Sequence, residues 1–356
     1  MVSIQELNLN SKQKDKKVIK CVVWDLDNTL WHGILLEDNQ VSLRENIASL
    51  METLDKRGIL QSIASKNEYH TAIKKLTEFG LQEYFLYPQI NWNSKADSVK
   101  QIASLLNIGL DAIAFIDDQL FELEEVKFSL PEVLCINADE ISNILDMPVM
   151  NPRFITEDSR LRRLMYLSDI ERHNAEQEFV GTADEFLATL QMNFTISTAQ
   201  EADLQRAEEL TLRTNQLNTT GYTYSYDELN QFRISENHKL LIASLEDKYG
   251  SYGKIGLALI ECQTQIWTIK LLLMSCRVMS RGVGTIMMNH IMSLAQTNHV
   301  RLLAEFVPND RNRMMYISYK FAGFKEIDQS GNSLILENDL TRIQPVPAYV
   351  NFQVID

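Results

Sequence analysis

Short apolar runs alternate with amphipathic segments through the first part of the chain. We predict β-strands in the apolar runs, at residues 18–24, 59–64, 84–90 and 112–116. The apolar spacing between these runs predicts helices at residues 43–56, 68–79 and 95–106. Apolar strands that alternate with helices are typical of a parallel sheet that is buried on both faces. We therefore expect an α/β fold for this part of the chain.

The pattern of apolar positions changes near residue 191. Strands are predicted there at residues 239–245, 255–261, 266–274 and 301–306, and helices at residues 203–212, 226–232, 284–295 and 312–321. This mixture is typical of an α+β domain. The predicted organisation is a polar N-terminal extension at 1–17, an α/β domain at 18–147, a charged helical connector at 148–190, an α+β domain at 191–340 and a C-terminal tail at 341–356.

Composition excludes several classes of protein. The net charge of −14 argues against a general nucleic-acid binder, because phosphate contacts need a basic face. No apolar run approaches the roughly 18 residues of a membrane span, and no secretory segment opens the chain. The four cysteines form no CxxC pair, which argues against a zinc site or a disulfide framework and favours a reducing cytoplasm.

Polar side chains gather where the predicted parallel strands end, which is where such sheets bind ligands. They are Asp25, Asp27, Ser65, Lys66, Lys95, Asp117 and Asp118. Carboxylate oxygens suit Mg²⁺, and one carboxylate can attack a phosphoryl group while a second shuttles a proton to the leaving group. The alternative is that Asp25 and Asp27 belong to a strand that ends in a polar turn.

These residues carry a resemblance to the haloacid-dehalogenase (HAD) superfamily of phosphatases and phosphotransferases, over about residues 18–140. Asp25, Asp27 and Thr29 match its DxDxT motif, Ser65 its second motif, Lys95 (or its rival Lys66) its third, and Asp117 with Asp118 its fourth. The resemblance implies that Asp25 is the nucleophile and that Asp27 is the acid/base. It also implies that Asp25, Asp27, Asp117 and Asp118 hold Mg²⁺, and that Thr29, Ser65 and a lysine bind phosphate.

A second motif, SCRVMSRGVGT, lies between a predicted strand and a predicted helix at residues 275–285. Glycines there let backbone N–H groups face an anion at the helix N-terminus, although a plain turn is the alternative. Gly282 and Gly284, with the spacing from Asn312 to Tyr319, resemble the GNAT fold of N-acetyltransferases. Met279 departs from that pattern, so Arg277 or Arg281 must supply the positive charge instead. A phosphopantetheine arm is the implied ligand.

Cys276 stands directly before this loop and has two interpretations. It is either a buried small residue or a nucleophile whose thiolate is favoured by Arg277, Arg281 and the helix N-terminus. The choice matters because a thiol nucleophile would connect the second domain with thioester chemistry.

Longer segments, among them CVVWDLDNTLW, RTNQLNTTGYTYS and LLLMSCRVMSRGVGT, resemble the FkbH-like glyceryltransferases over about residues 20–340. That resemblance implies a HAD-type Rossmann-like domain followed by a GNAT-like domain. The implied enzyme takes D-1,3-bisphosphoglycerate, removes phosphate and loads the glyceryl group as a thioester onto a holo acyl carrier protein for polyketide-type biosynthesis. We hypothesise that Cys276 receives the glyceryl group. A stand-alone Mg²⁺-dependent phosphatase and a non-catalytic carrier-binding protein are the alternatives.

Two polar segments have open roles. Arg213, Asn215 and Asn218 are candidates to bind the substrate hydroxyls or its distal phosphate, or else form a structural loop. A carrier-docking patch is the hypothesis for Arg160, Arg162 and Arg163. The alternative is that these arginines pair with nearby acids, namely Glu157, Asp158 and Asp169.

Overall fold

A computed structural model of the chain describes residues 18–38, 40–214 and 216–355. The predicted N-terminal extension at residues 1–17 and the candidate Asn215 lie outside the described residues. The chain divides into two compact units, Met1–Tyr166 and Leu167–Asp356. The segment predicted as a separate connector, residues 148–190, is shared between the two units.

The sheet of the first unit is parallel throughout. Its strands are β1 (Cys21–Trp24), β4 (Leu60–Ser65), β5 (Gln89–Ile90), β6 (Ile113–Asp117) and β7 (Leu134–Asn137), and β2 (Trp31–His32) pairs separately with β3 (Ser42–Leu43). The spatial order is β5-β4-β1-β6-β7, so β1 lies between β4 and β6. The predicted parallel α/β arrangement is confirmed.

Helices follow the strands of this sheet. They are α1 (Ile47–Lys56), α2 (Tyr69–Glu78), α3 (Lys95–Leu106), α4 (Leu120–Ser129) and α5 (Glu157–Arg160). The start of α3 is fixed by Ser94, whose hydroxyl accepts a hydrogen bond from the Asp97 backbone N–H at 3.0 Å. The cap is important for the site, because it sets the first helical position at Lys95.

The strand predicted at residues 84–90 is largely wrong. Only Gln89–Ile90 forms a strand, while Gln82–Tyr84 forms a 3-10 turn and Phe85 makes an isolated bridge to Gln61. Tyr87 has a φ of 50°, which is in the left-handed region and interrupts an extended strand. An apolar run indicates burial here but does not determine the backbone conformation.

The second unit contains a mixed sheet of eight strands among the described residues. They are β8 (Met192–Thr198), β9 (His238–Asp247), β10 (Gly250–Cys262), β11 (Ile266–Met274), β12 (Arg301–Phe306), β13 (Lys325–Ser330), β14 (Ser333–Asn338) and β15 (Val350–Ile355). The order is β13-β14-β12-β11-β10-β9-β8-β15, and only the pairs β11·β12 and β8·β15 are parallel among these described strands. The predicted α+β class is confirmed.

The helices of this part of the chain are α6 (Arg162–Glu178), α7 (Ala183–Thr189), α8 (Leu204–Arg213), α9 (Tyr226–Ile234), α10 (Val283–Thr297) and α11 (Arg313–Phe321). The division between the two units falls within α6. Alternate side chains of β9 belong to two different apolar clusters, with Leu241 in one and Leu240 in the other. The second sheet is therefore buried on both faces.

The segment predicted as a C-terminal tail, residues 341–356, contains an edge strand instead. Val350–Ile355 pairs in parallel with β8, and the Phe352 ring stacks on Phe194 with centroids 6.1 Å apart. The partner strand lies about half the chain earlier, so local sequence does not indicate the pairing. Within the described ranges, no helix has the length and apolar character needed to cross a bilayer.

Candidate active site

Two carboxylates meet at the carboxyl edge of the parallel sheet. Asp25 directly follows β1 and Asp117 ends β6, and the Asp25 N–H donates to the Ile116 carbonyl at 2.9 Å. Adjacent parallel strands bring their ends to one edge, so residues 92 positions apart become neighbours. Asp25 is 5% exposed and Asp117 is fully buried.

Lys95 provides the positive charge next to these carboxylates. Its Nζ donates to Asp25, to Asp117 Oδ2 at 3.1 Å and to the Ala64 carbonyl at 2.9 Å. Lys66, the rival candidate, instead forms an ion pair with Glu122 at 2.7 Å. The structure therefore brings Lys95 to the carboxylates.

Asp118 completes a group of oxygen donors. One carboxylate oxygen from each of Asp25, Asp117 and Asp118 lies within 4.8 Å of the other two. Burial, followed by the charge of Asp25, raises the pKa of Asp117 to about 7, and the same two causes raise the pKa of Asp118. Crowded carboxylates that resist ionisation together fit a hard divalent cation such as Mg²⁺, because the cation removes their repulsion.

Thr29 contacts Asp118, one of the candidate metal ligands. Its hydroxyl accepts the Asp118 N–H at 3.0 Å and lies 3.4 Å from Asp118 Oδ1. Ser65 ends β4, the strand next to β1, and is buried. Both candidates thus lie at the predicted sheet edge, and Thr29 orients Asp118.

Asp27 is held by two residues that sequence reasoning did not select. Trp31 Nε1 donates to Asp27 Oδ1 at 2.8 Å, and Asn67 Nδ2 donates to Asp27 Oδ2 at 2.9 Å. Burial raises the pKa of Asp27, while a hydrogen bond from the Leu35 backbone and the one from Trp31 lower it. The sequence contained two signals for these contacts. The indole of Trp31 comes four residues after Asp27, and the amide of Asn67 directly follows Ser65 and Lys66.

The glycine-rich loop of the second unit has the predicted local geometry. Gly282 has a φ of 76° and caps α10, a conformation that favours glycine. Arg277 Nη2 donates to the Tyr252 carbonyl at 2.8 Å, while Arg281 is buried and lies 3.4 Å from Glu176. Cys276 is half-buried and begins a 3-10 turn just after β11. Gly284 lies in the first turn of α10.

Strands β11 and β12 pair only as far as Ile269 and Ala304. Beyond that point, residues 217–219 (the inserted segment) bond to β11 and to Val307, which directly follows β12. Its Leu217 carbonyl accepts the Met274 N–H at 2.9 Å, and its Thr219 carbonyl accepts the Val307 N–H at 3.0 Å. The chain's own backbone thus occupies this edge of β11.

Several candidates of the second unit have internal structural contacts. Asn312 is fully buried and donates to the carbonyls of Asn218 at 3.1 Å and Val307 at 2.9 Å. The Asn218 side chain accepts the N–H groups of Thr220 and Gly221, which closes a turn. Tyr319 is buried against Phe324, with ring centroids 4.9 Å apart, and burial raises its pKa.

The arginine candidates also have partners within their own units. Arg213 lies 4.0 Å from Glu209. Arg162 is buried and donates to the Gly58 carbonyl at 2.8 Å, and Arg163 pairs with Asp55 at 3.0 Å. The hypothesis of a docking patch made from Arg160, Arg162 and Arg163 is therefore wrong, because two of the three charges are already engaged.

No protein-family model and no curated protein matches the chain. Solved structures do resemble it. The N-terminal phosphatase part of a Bacteroides fragilis protein, complexed with Mg, shares 28% identity at a TM-score of 0.34, over 38% of this chain and 40% of that one. The chain thus spans about 40% of the length of that solved chain.

Other similar structures are N-acetyltransferases. The ribosomal-protein-S18-alanine N-acetyltransferase of Escherichia coli shares 16% identity at a TM-score of 0.33, over 43% of this chain and 97% of that one. The PaiA N-acetyltransferase of Thermoplasma acidophilum, solved with coenzyme A, shares 14% identity at a TM-score of 0.33, over 41% of this chain and 98% of that one. At these TM-scores the likenesses do not assign an activity to the chain.

Proposed function

We propose that the first unit is a Mg²⁺-dependent phosphoryl-transfer centre and that the second is an acyl-transfer unit. The observation that carries the proposal is the group of Asp25, Asp117 and Asp118 oxygens with Lys95 beside it. A transferring phosphoryl group needs positive charge around its oxygens, a nucleophile and a proton donor for the leaving group. These parts are present at one sheet edge.

In the proposed reaction, a carboxylate oxygen of Asp25 attacks phosphorus, and the bond from phosphorus to the leaving oxygen breaks. Asp27 gives its proton to that oxygen and then takes one from the water that releases phosphate from Asp25. Lys95 donates to the phosphate oxygens. Bound Mg²⁺, held by Asp25, Asp117, Asp118 and the Asp27 carbonyl, would offset the phosphate charge.

The finer proposal is a bifunctional glyceryltransferase/phosphatase that uses D-1,3-bisphosphoglycerate. The Cys276 thiolate attacks the acyl carbon of the acyl phosphate, and the carbon–oxygen bond to the leaving phosphate breaks. The thioester then passes to the phosphopantetheine thiol of a holo acyl carrier protein, which regenerates the Cys276 thiolate. Asp25 removes the ester phosphate at the other end of the substrate. A cytoplasmic location and a role in polyketide-type biosynthesis belong to the same proposal.

Support for this finer proposal is of two kinds. The long segments that resemble the FkbH-like glyceryltransferases cover both units. In addition, Cys276 is half-buried between the end of β11 and the N-terminus of α10, beside Arg277.

A stand-alone phosphatase is the second candidate, and one observation favours it. The inserted segment is bonded to the edge of β11 next to the glycine-rich loop, where a pantetheine arm is expected. An arm that used the Leu272 and Met274 backbone groups would have to displace this segment. A phosphatase would need no such movement.

One assay separates the candidates. The full chain is incubated with D-1,3-bisphosphoglycerate, Mg²⁺ and a holo acyl carrier protein, while phosphate release and the mass of the carrier are followed. We expect a glyceryl group on the carrier, and we expect Asp25→Asn to stop release of the ester phosphate. Phosphate release without carrier loading would favour the stand-alone phosphatase. Absence of any Mg²⁺-dependent turnover would contradict both and leave a non-catalytic carrier-binding protein.

A further inference from the structure

The side chain of Asp27 is held by three separate segments of the first unit. Trp31 Nε1 and the Leu35 N–H donate to Oδ1, at 2.8 Å and 3.0 Å. Asn67 Nδ2 donates to Oδ2 at 2.9 Å. The donors come from β2, from the turn after it and from the residues that follow β4. The rotation of the carboxyl group is thereby fixed.

The two side-chain donors are themselves held in place. Asn67 is 1% exposed, and its Oδ1 accepts the Glu68 N–H at 2.9 Å, so its Nδ2 group must face Asp27. Trp31 is fully buried and its ring lies 6.1 Å from that of Phe79. Neither donor can turn away from Asp27 without losing these contacts.

This arrangement makes the two oxygens of Asp27 unequal. Both acceptor directions of Oδ1 point at N–H groups, which cannot accept a proton. Among the described residues, Oδ2 accepts a hydrogen bond only from Asn67, so one of its acceptor directions is open. A proton on Oδ1 would face a donor, whereas a proton on Oδ2 can point toward a ligand.

We propose that Trp31 and Asn67 are positioning residues that hold Asp27 so that it exchanges its proton through Oδ2. The inference rests on the proposed role of Asp27 as proton donor to the leaving group. The inference specifies that Oδ2 of Asp27 carries the proton and that Trp31 and Asn67 select this oxygen.

The test uses the full chain and phosphate monoesters of graded leaving groups, from 4-nitrophenyl phosphate to an alkyl phosphate. We expect Trp31→Phe and Asn67→Ala to lower kcat for the alkyl phosphate by about 10- to 100-fold, because a misplaced acid no longer protonates the alkoxide. The kcat for 4-nitrophenyl phosphate should change far less, because nitrophenolate leaves without a proton. KM should stay close to the wild-type value for both.

Matched controls are Asn91→Ala, in the loop after β5, and Trp267→Phe, a buried tryptophan of the second unit. Neither should change the dependence on the leaving group. An equal fall for all esters, or no fall for the alkyl ester, overturns the inference. If Asn67→Ala does not fold, Trp31→Phe carries the test, because it keeps an aromatic ring in place. Full turnover by Asp25→Asn would instead contradict the proposed function itself.

Discussion

Lys95 and Asp117 form a buried ion pair at the carboxyl edge of the parallel sheet, with Nζ 3.1 Å from Oδ2 and side chains that are 4% and 1% exposed. The lysine also donates to Asp25, so one cation serves two carboxylates. Desolvation alone would lower the pKa of Lys95, but the charges of Asp25 and Asp117 raise it overall. Lys95 therefore stays protonated and keeps its positive charge at the sheet edge where the phosphate is proposed to bind.

Replacement of Lys95 should affect both stability and activity. Lys95→Met leaves two buried carboxylates without their partner, which we expect to cost about 3–5 kcal/mol of unfolding free energy. Phosphate release should fall by at least about 100-fold, as expected when a preorganised donor is removed from a charged transition state. Thermal unfolding with and without Mg²⁺, together with a phosphate assay, measures both effects.

Lys66→Met is the matched control for this experiment. Lys66 pairs with Glu122, and its side chain is 35% exposed. Its loss should leave phosphate release close to the wild-type rate. If Lys66→Met were inactive while Lys95→Met kept its activity, the assignment of the phosphate-binding lysine would be reversed.

Thr29 gives a second prediction, on metal affinity. Its hydroxyl accepts the Asp118 N–H and lies beside Asp118 Oδ1, so it fixes the carboxylate that completes the oxygen group. Thr29→Val keeps the volume but loses these contacts. We expect the Mg²⁺ concentration for half-maximal activity to rise by about 10- to 100-fold, as is typical when the support of a metal ligand is removed.

Thr53→Val, on the exposed face of α1, is the control because its hydroxyl bonds only within the helix, to the Ser49 carbonyl. Its Mg²⁺ requirement should match that of the wild type. An unchanged requirement in Thr29→Val would mean that Asp118 does not depend on the hydroxyl, or that Asp118 is not a ligand.

Sequence patterns predicted the sheet edge of the site well, because strand ends follow from apolar runs that stop at polar residues. Asp25 and Asp117 meet for that reason alone. The choice between Lys66 and Lys95 could not be made, since both lie near strand ends and only the Ser94 cap and the course of α3 separate them. Trp31 and Asn67 lie in short segments, a two-residue strand and the residues after β4, that are too short to show the apolar periodicity from which contacts with Asp27 could be predicted.

The pattern of apolar positions also did not reveal which strands far apart in the sequence pair with each other. Asn351 Nδ2 bonds to Asn193 Oδ1 across 158 residues, within the pair of β15 and β8. The inserted segment is a similar case. Its contacts to β11 and to Val307 depend on where β11 and β12 stop pairing, and local apolar periodicity does not indicate that point.

The inserted segment leads to a third prediction, through Asn312. This buried amide donates to the carbonyls of Asn218, Thr219 and Val307. Asn312→Ala leaves those carbonyls without the donor and should cost roughly 2–4 kcal/mol locally. Hydrogen exchange of the full chain should then be at least about tenfold faster at the Leu272 and Met274 amides.

The exposed Asn351→Ala is the control for this variant and should leave exchange at those amides unchanged. If Asn312→Ala exchanged at the wild-type rate, the segment would be held by its strand contacts alone. In that case Asn312 would not be the residue that fastens it.

Cys276 gives the fourth prediction. If it carries the glyceryl group, intact-mass analysis after incubation with D-1,3-bisphosphoglycerate should find a glyceryl adduct on the wild type and none on Cys276→Ala. Cys262→Ala is the control, because burial raises the pKa of Cys262 to about 11 and keeps that thiol protonated near neutral pH. The adduct should persist there. A glyceryl adduct on Cys276→Ala would exclude Cys276 as the acyl carrier.

Glu68 gives the last prediction, on the dependence of stability on pH. Its carboxylate accepts the backbone N–H groups of His70 at 3.0 Å and Thr71 at 2.7 Å and so caps α2. Hydrogen bonds from Thr71, first from its side chain and then from its backbone, lower the pKa of Glu68 to about 2. In the unfolded chain, glutamates titrate at about pH 4.3, so the folded state binds this proton more weakly than the unfolded chain does. The cap therefore stabilises the fold above about pH 4.3. The contribution is lost as the pH falls toward 2.

Glu68→Gln cannot ionise, so it should be less stable than the wild type at pH 7, and the two unfolding free energies should converge as the pH falls. Urea unfolding of both proteins at several pH values measures this, and a difference that stays constant from neutral to acidic pH would contradict it.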